Sequence, residues 1–203
     1  MIRQEDSQAL LVRAKQGDAA ALGDLLTATH PYLRVLAKSM LDRRLQGKAA
    51  AEDLIQEAFL EAHRDFQSFR GDKLPEFLAW LRRILSNRAS KLIRRYLGTK
   101  ARDVRLERNM LQDLDRSSLC LASIAVVTEE TPSRQAIENE QTLALAKAIE
   151  KLPNHYRDVI EMHQLQSLEL AEVAEIMNRT HESVRKLWAR GLVKLRSILK
   201  EME

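Results

Sequence analysis

The sequence is short of the residues that break helices or lock a chain covalently. Only 6 glycines and 4 prolines occur in 203 residues, so long helices are expected. A single cysteine, Cys120, excludes an internal disulfide and fits a reducing compartment; it reads as a small apolar linker residue. The longest uncharged run, 117–128, is too short to cross a bilayer, so no membrane insertion is expected. The N-terminal Met1-Ile2-Arg3-Gln4-Glu5-Asp6 lacks the apolar core of a secretory signal, and a cytoplasmic protein is expected. Neither sign of charge dominates. With 33 Lys and Arg against 29 Asp and Glu the formal net charge is +4, so the information lies in where charges cluster. Enzyme chemistry is thinly supplied. The five histidines, His30, His63, His155, His163 and His181, form no HExxH pair, and no glycine-rich phosphate loop occurs. His63 beside Glu61 reads as incidental. No catalytic residue, metal or cofactor is expected.

What is present is a helical, globular chain. It is 45% hydrophobic and 31% charged, and long enough for one large or two small domains. Apolar residues recur at helical spacing and no alternating strand pattern is evident, so an all-α fold is expected. A first helix covers about 7–16, and Gly17-Asp18 separates it from a stretch with the apolar stripe Leu22, Leu25, Leu26, Tyr32, Leu33, Leu36 and Met40. Pro31 within that stretch either begins a second segment or kinks the helix. Gln46-Gly47-Lys48 reads as a break. A helix over 51–66 turns Leu54, Ile55, Ala58, Phe59 and Ala62 to one side. Phe69-Arg70-Gly71-Asp72-Lys73 reads as a loop, with Pro75 in the first turn of the next helix. That helix buries Phe77, either Trp80 or Leu81, Ile84, Ala89, Leu92 and Tyr96, and Gly98 ends it. Two helical domains are expected, over 1–100 and 135–203. The long linker 101–134 between them carries some helix around 104–114.

Charge is segregated along this chain. The segment 80–95 carries Arg82, Arg83, Arg88, Lys91, Arg94 and Arg95 and no acid. Near the C-terminus the pattern is that of a helix-turn-helix. Ser167 is placed to cap a helix with apolar Leu170, Val173, Ala174 and Met177. Asn178-Arg179-Thr180 forms the turn, Asn178 tolerating left-handed backbone and Thr180 capping the second helix. That helix buries Val184, either Leu187 or Trp188, Gly191, Leu195 and Ile198, and exposes Glu182, Arg185, Lys186 and Arg190. Two basic helices in separate modules suit a protein that grips a polyanion at two places, and DNA is the natural candidate.

Three stretches in order resemble the sigma factors of bacterial RNA polymerase, of the compact extracytoplasmic-function (ECF) type. Asp53-Leu54-Ile55-Gln56-Glu57-Ala58-Phe59 is similar to the Asp-x-x-Gln-Glu-x-Phe motif of the helix that binds core polymerase. Phe77-Leu78-Ala79-Trp80-Leu81-Arg82-Arg83-Ile84, followed by Asn87, is similar to the promoter-melting and −10-reading segment. Leu152-Pro153 with Tyr156-Arg157-Asp158-Val159-Ile160, then Glu172-Val173-Ala174 and Ser183-Val184-Arg185-Lys186, is similar to the −35-reading domain. Departures are Asn178 where the family often has Gly, a bulky Trp188, and a long connection between the modules.

The resemblance implies three surfaces. Asp53, Leu54, Gln56, Glu57, Phe59 and Glu61 would dock on a coiled coil of the polymerase largest subunit, the acids at i, i+4 and i+8 forming a ridge for a basic partner helix. The loop would capture an unstacked base, with Phe69 stacking, Arg70 and Lys73 holding phosphate, and Gly71 allowing close approach. Beside it Arg83, Asn87, Lys91, Arg94 and Arg95 would meet the −10 element, Asn87 at a base edge and the cations at phosphates. Trp80 fits a core role at least as well as a melting role. His181, Glu182, Ser183, Arg185, Lys186 and Arg190 would meet the −35 element. The implied partners are core RNA polymerase, through the coiled coil and the flap, promoter DNA, and in some cases an anti-sigma factor. A helical adaptor would not explain two basic helices, and an ordinary helix-turn-helix repressor would not explain the core-binding motif.

Overall fold

The computed structural model describes residues 7–41, 48–97, 111–112, 114–118 and 137–202, with backbone alone at 39–41, 48–50, 93–97 and 137–140. The elements among the described residues are helical, and the chain forms two compact units, Met1–Arg116 and Ser117–Glu203. None of the described helices is long and apolar enough to cross a membrane. The expected break at Gln46-Gly47, the stop at Gly98, Cys120 and most of the linker lie outside the described residues.

In the first unit, α1 (Ser7–Lys15) ends at Gly17, whose φ of 95° turns the chain back at no steric cost. Asp18 then caps α2 (Ala19–Leu41), accepting the Ala21 N–H at 3.0 Å and the Arg13 guanidinium at 2.7 Å. The Ala21 N–H first, then Arg13, hold the Asp18 carboxyl below its ordinary range. Helix α2 runs unbroken through Pro31, so no second segment begins there. The proline removes one backbone hydrogen bond, while Tyr32, Leu33, Val35 and Leu36 just beyond it are buried and hold the helix in place. Helix α3 (Lys48–Asp65) buries Leu54, Ile55, Ala58 and Ala62. A 3-10 turn, Phe66–Ser68, leads to the loop before α4 (Leu74–Leu97). Of the pair Trp80 and Leu81, Leu81 is the fully buried member. Residues 114–116, at the end of this unit, are helical, and Asp115 accepts Arg82 Nε at 2.7 Å.

In the second unit, α5 (Ile137–Lys151) stops at Leu152-Pro153 and α6 (Asn154–Ile160) follows. Arg157 explains why a cation sits in this turn. Its guanidinium donates to the carbonyls of Ile149 at 3.2 Å, Leu152 at 2.8 Å and also Glu150, closing the C-terminal end of α5. A π-helical turn, Glu161–Leu165, extends α6. Helices α7 (Leu170–Ile176) and α8 (His181–Met202) make the helix-turn-helix. The cap of α7 is Glu169 rather than Ser167. Ser167 adopts φ of 57° in the turn, whereas a cap needs the extended backbone that Glu169 has. Glu169 forms a capping box with Glu172, whose Oε2 accepts the Glu169 N–H at 2.8 Å.

Candidate nucleic-acid and protein interfaces

Helix α3 buries one side and leaves Asp53, Gln56, Glu57 and Leu60 exposed. These positions, at i, i+3, i+4 and i+7, share one face. Leu60 is 73% exposed, which no packing within the unit accounts for. Sequence reading passed over it, although its place between Glu57 and Glu61, off the apolar stripe, was the available signal. Three expected docking residues sit differently. Leu54 is 2% exposed and supports the face from beneath. Phe59 is half-buried with its ring 6.0 Å from His30. Glu61 turns away from the ridge, because eight helical steps rotate it by about 80° from Asp53. Its side chain is 17% exposed and its carboxylate takes the Arg88 guanidinium, which also lies 3.5 Å from Glu57.

The same pairing changes the reading of α4. Arg88 is neutralised by α3, and Arg82 is engaged by Asp115 and by the Tyr32 hydroxyl at 2.8 Å. Burial disfavours the Arg82 charge, yet Tyr32 and Asp115 outweigh it and hold the guanidinium above its ordinary range. Arg83 and Lys91 remain exposed, with Asn87 half-buried between them on the same face. The side chains of Arg94 and Arg95 lie outside the described residues.

The loop before α4 is built on an aromatic cluster. Phe69 is 9% exposed, its ring 5.3 Å from Trp80 and 5.6 Å from Phe77, with Phe66 at 6.1 Å. Its ring packs beneath the loop as a floor and presents little surface to solvent. Trp80 belongs to the same cluster and is half-buried. Arg70 and Lys73 are exposed as expected. The backbone between them is captured by side chains. Glu76 Oε2 accepts the N–H groups of Asp72 at 2.8 Å and Lys73 at 3.0 Å. Gln8 donates to the Asp72 carbonyl at 2.9 Å and accepts the Leu74 N–H at 2.7 Å. Lys15 donates to the Gly71 carbonyl at 2.9 Å and pairs with the Asp72 carboxylate. Nothing in the local sequence marks Gln8 or Lys15, because the partners lie more than fifty residues away.

In the helix-turn-helix, Val159, Val173, Ala174 and Val184 form a core flanked by Met162, Leu187 and Trp188. Gly191 lets α8 approach α6 closely, since a Cβ there would lie 3.3 Å from both Ile160 and Tyr156. Asn178 has the left-handed φ of 51°, and Thr180 Oγ1 accepts the Ser183 N–H at 3.3 Å. His181, Glu182, Arg185, Lys186 and Arg190 are exposed and Ser183 is half-buried. Lys186 and Glu182 form an i, i+4 pair at 2.8 Å. Among the described residues no group of His, Cys, Asp and Glu could hold a metal ion.

Two family models match this chain, Sigma-70 region 2 over residues 25–97 and Sigma-70 region 4 over residues 142–195. Among curated proteins it is 29% identical over 178 residues to the RNA polymerase sigma-H factor of Pseudomonas aeruginosa, covering 87% of this chain and 85% of that one. It is 29% identical over 190 residues to the ECF RNA polymerase sigma factor SigW of Bacillus subtilis, covering 94% and 95%. A solved structure of CnrH in complex with the cytosolic domain of CnrY aligns over 98% of this chain and 100% of that chain, at 22% identity and a TM-score of 0.38.

Proposed function

Because the chain belongs to the sigma-70 family, in its extracytoplasmic-function group, we propose a division of labour among its exposed faces. As a promoter-directing factor it binds core RNA polymerase, reads −35 and −10 elements and assists opening; it performs no bond chemistry itself and acts in the cytoplasm. Core polymerase docks on Asp53, Gln56, Glu57 and Leu60, where two acids followed one turn on by an exposed leucine suit a basic, partly apolar partner helix. Arg70 and Lys73 on the loop, with Arg83, Asn87 and Lys91 on α4 and Arg94 and Arg95 beyond them, meet the −10 element. His181, Glu182, Ser183, Arg185, Lys186 and Arg190 meet the −35 element, with residues 135–203 acting as that module and 1–100 as the other.

The observation that carries this reading is the separation of signs within the first unit. Arg88 and Arg82 are consumed internally, so the acidic face of α3 and the basic stripe of α4 are left to different partners. An acidic face repels phosphate, and a basic stripe attracts it. The test is a core-binding titration with Asp53→Lys and Glu57→Lys. The double variant is expected to bind core at least about tenfold more weakly, the size of a few lost charge contacts, with unchanged thermal unfolding. Unchanged affinity would refute the assignment of this face.

A further inference from the structure

Helix α1 has no part in the surfaces proposed above, yet it reaches directly into the loop that carries Arg70 and Lys73. Gln8 and Lys15 are seven residues apart, which places them on one helical face. Between them they take the Gly71 carbonyl, the Asp72 carbonyl and the Leu74 N–H. Glu76 takes the two intervening N–H groups, and the Lys73 carbonyl accepts the N–H groups of Glu76 and Phe77 at 3.1 Å. Every backbone polar group from the Gly71 carbonyl to the Leu74 N–H is therefore satisfied within the protein. Surface loops ordinarily leave such groups to water and stay mobile. The Gln8 amide matters in both directions, since one side chain donates to one peptide group and accepts from another. Beneath the loop a Cβ on Gly71 would lie 2.5 Å from the Phe69 ring, so the segment is held from below as well as from behind.

We propose that Gln8 and Lys15 are positioning residues for base selection, clasping the loop so that Arg70 and Lys73 meet an unpaired −10 base in one fixed geometry. This rests on the reading that the loop receives such a base. A loop already fixed in its binding geometry loses no ordering entropy on contact, and its rigidity is what separates a fitting base from a misfitting one. Without the clasp the loop still carries its charges and still attracts the strand, but it can yield around the wrong base.

The test uses the full chain assembled with core polymerase. Single-stranded −10 non-template oligonucleotides, differing at one base at a time, are titrated against parent, Gln8→Leu, Lys15→Met, Lys15→Arg and an Arg70→Ala/Lys73→Ala control. Core affinity and thermal unfolding are measured alongside. Gln8→Leu is expected to lower the ratio of best to worst base affinity about tenfold, the effect of losing two net hydrogen bonds, while core affinity is unchanged. Lys15→Met lowers the ratio and Lys15→Arg restores it. Gln8→Glu, which keeps the acceptor for Leu74 and loses the donor to Asp72, gives an intermediate ratio and serves if Gln8→Leu does not fold. A parent-like ratio in Gln8→Leu, with oligonucleotide affinity lost in the Arg70/Lys73 control, overturns the clasp and leaves the loop reading standing. A parent-like affinity in that control as well removes both. An equal loss of affinity for every oligonucleotide and for core reduces Gln8 to a structural residue and also overturns the proposal.

Discussion

Gly71 has no room for a side chain: an added Cβ would sit 2.5 Å from Phe69 Cζ and 2.8 Å from Glu76 Cβ. Neither neighbour can yield, because Phe69 is wedged among Phe66, Phe77 and Trp80 and Glu76 is held by two backbone N–H groups. Gly71→Ala is expected to destabilise the chain by about 1–3 kcal/mol, the usual cost of overpacking. Calorimetric unfolding checks it, and a parent-like Tm would mean that the loop moves aside freely. Glu76 adds a pH dependence. The Lys73 N–H first, then the Asp72 N–H, hold its carboxyl below the ordinary glutamate range. With the folded pKa depressed, the contribution is fully present above the unfolded value and is lost as pH falls through the lower, folded value. Exchange protection of the Asp72 and Lys73 amides, corrected for the intrinsic rate, should hold at neutral pH and drop on acidification through that window. Glu76→Gln should remove the step, and protection insensitive to pH would contradict it. At this scale the sequence was a partial guide. Arg70 and Lys73 stand exposed as their composition suggests. Phe69 and Glu61 do not, because their burial is decided by partners on the next helix, Phe77 and Trp80 for the ring and Arg88 for the carboxylate.

Elements were more legible than residues, since amphipathic spacing is written locally. The stripes of α3, α4, α7 and α8 fall where the apolar periodicity places them, and Asn178 and Thr180 shape the turn as their chemistry dictates. The departures are of one kind, a tertiary or backbone constraint outweighing a local signal. Burial on α2 carries the helix through Pro31, and a left-handed Ser167 passes the capping role to Glu169. The basic character of α4 was likewise overstated. Six cations without an acid became, on folding, a stripe of Arg83 and Lys91 among the described side chains, because Glu57, Glu61 and Asp115 arrive from elsewhere. On α8 the exposed Arg185 and Lys186 imply a specific outcome. Arg185→Ala and Lys186→Ala should each weaken −35 binding, and a variant that loses one phosphate contact should flatten the dependence of log affinity on log salt by about 0.9. Footprints across a salt series measure both. Protection equal to the parent's would remove these residues from the interface.

For the whole molecule the central claim is that one chain joins a polymerase-docking face to two DNA-reading faces. Each of its two compact units contains one of the two matched family regions, and the proposed order along the chain runs from docking helix to −10 helix to −35 helix-turn-helix. Either unit alone is a helical bundle with charged faces; their combination distinguishes an initiation factor from an adaptor or a repressor. That combination was legible in the sequence because three motifs stand in order, each built on local helical spacing. The clasp of α1 on the loop was not, because its hydrogen bonds join residues more than fifty positions apart. The most direct measurement is run-off transcription with core polymerase, with and without this protein, over a library of promoter fragments. The account predicts specific starts that depend on the protein and share two conserved upstream elements, one answering to each DNA-reading unit. Starts that are absent, or that occur equally with core polymerase alone, would contradict it.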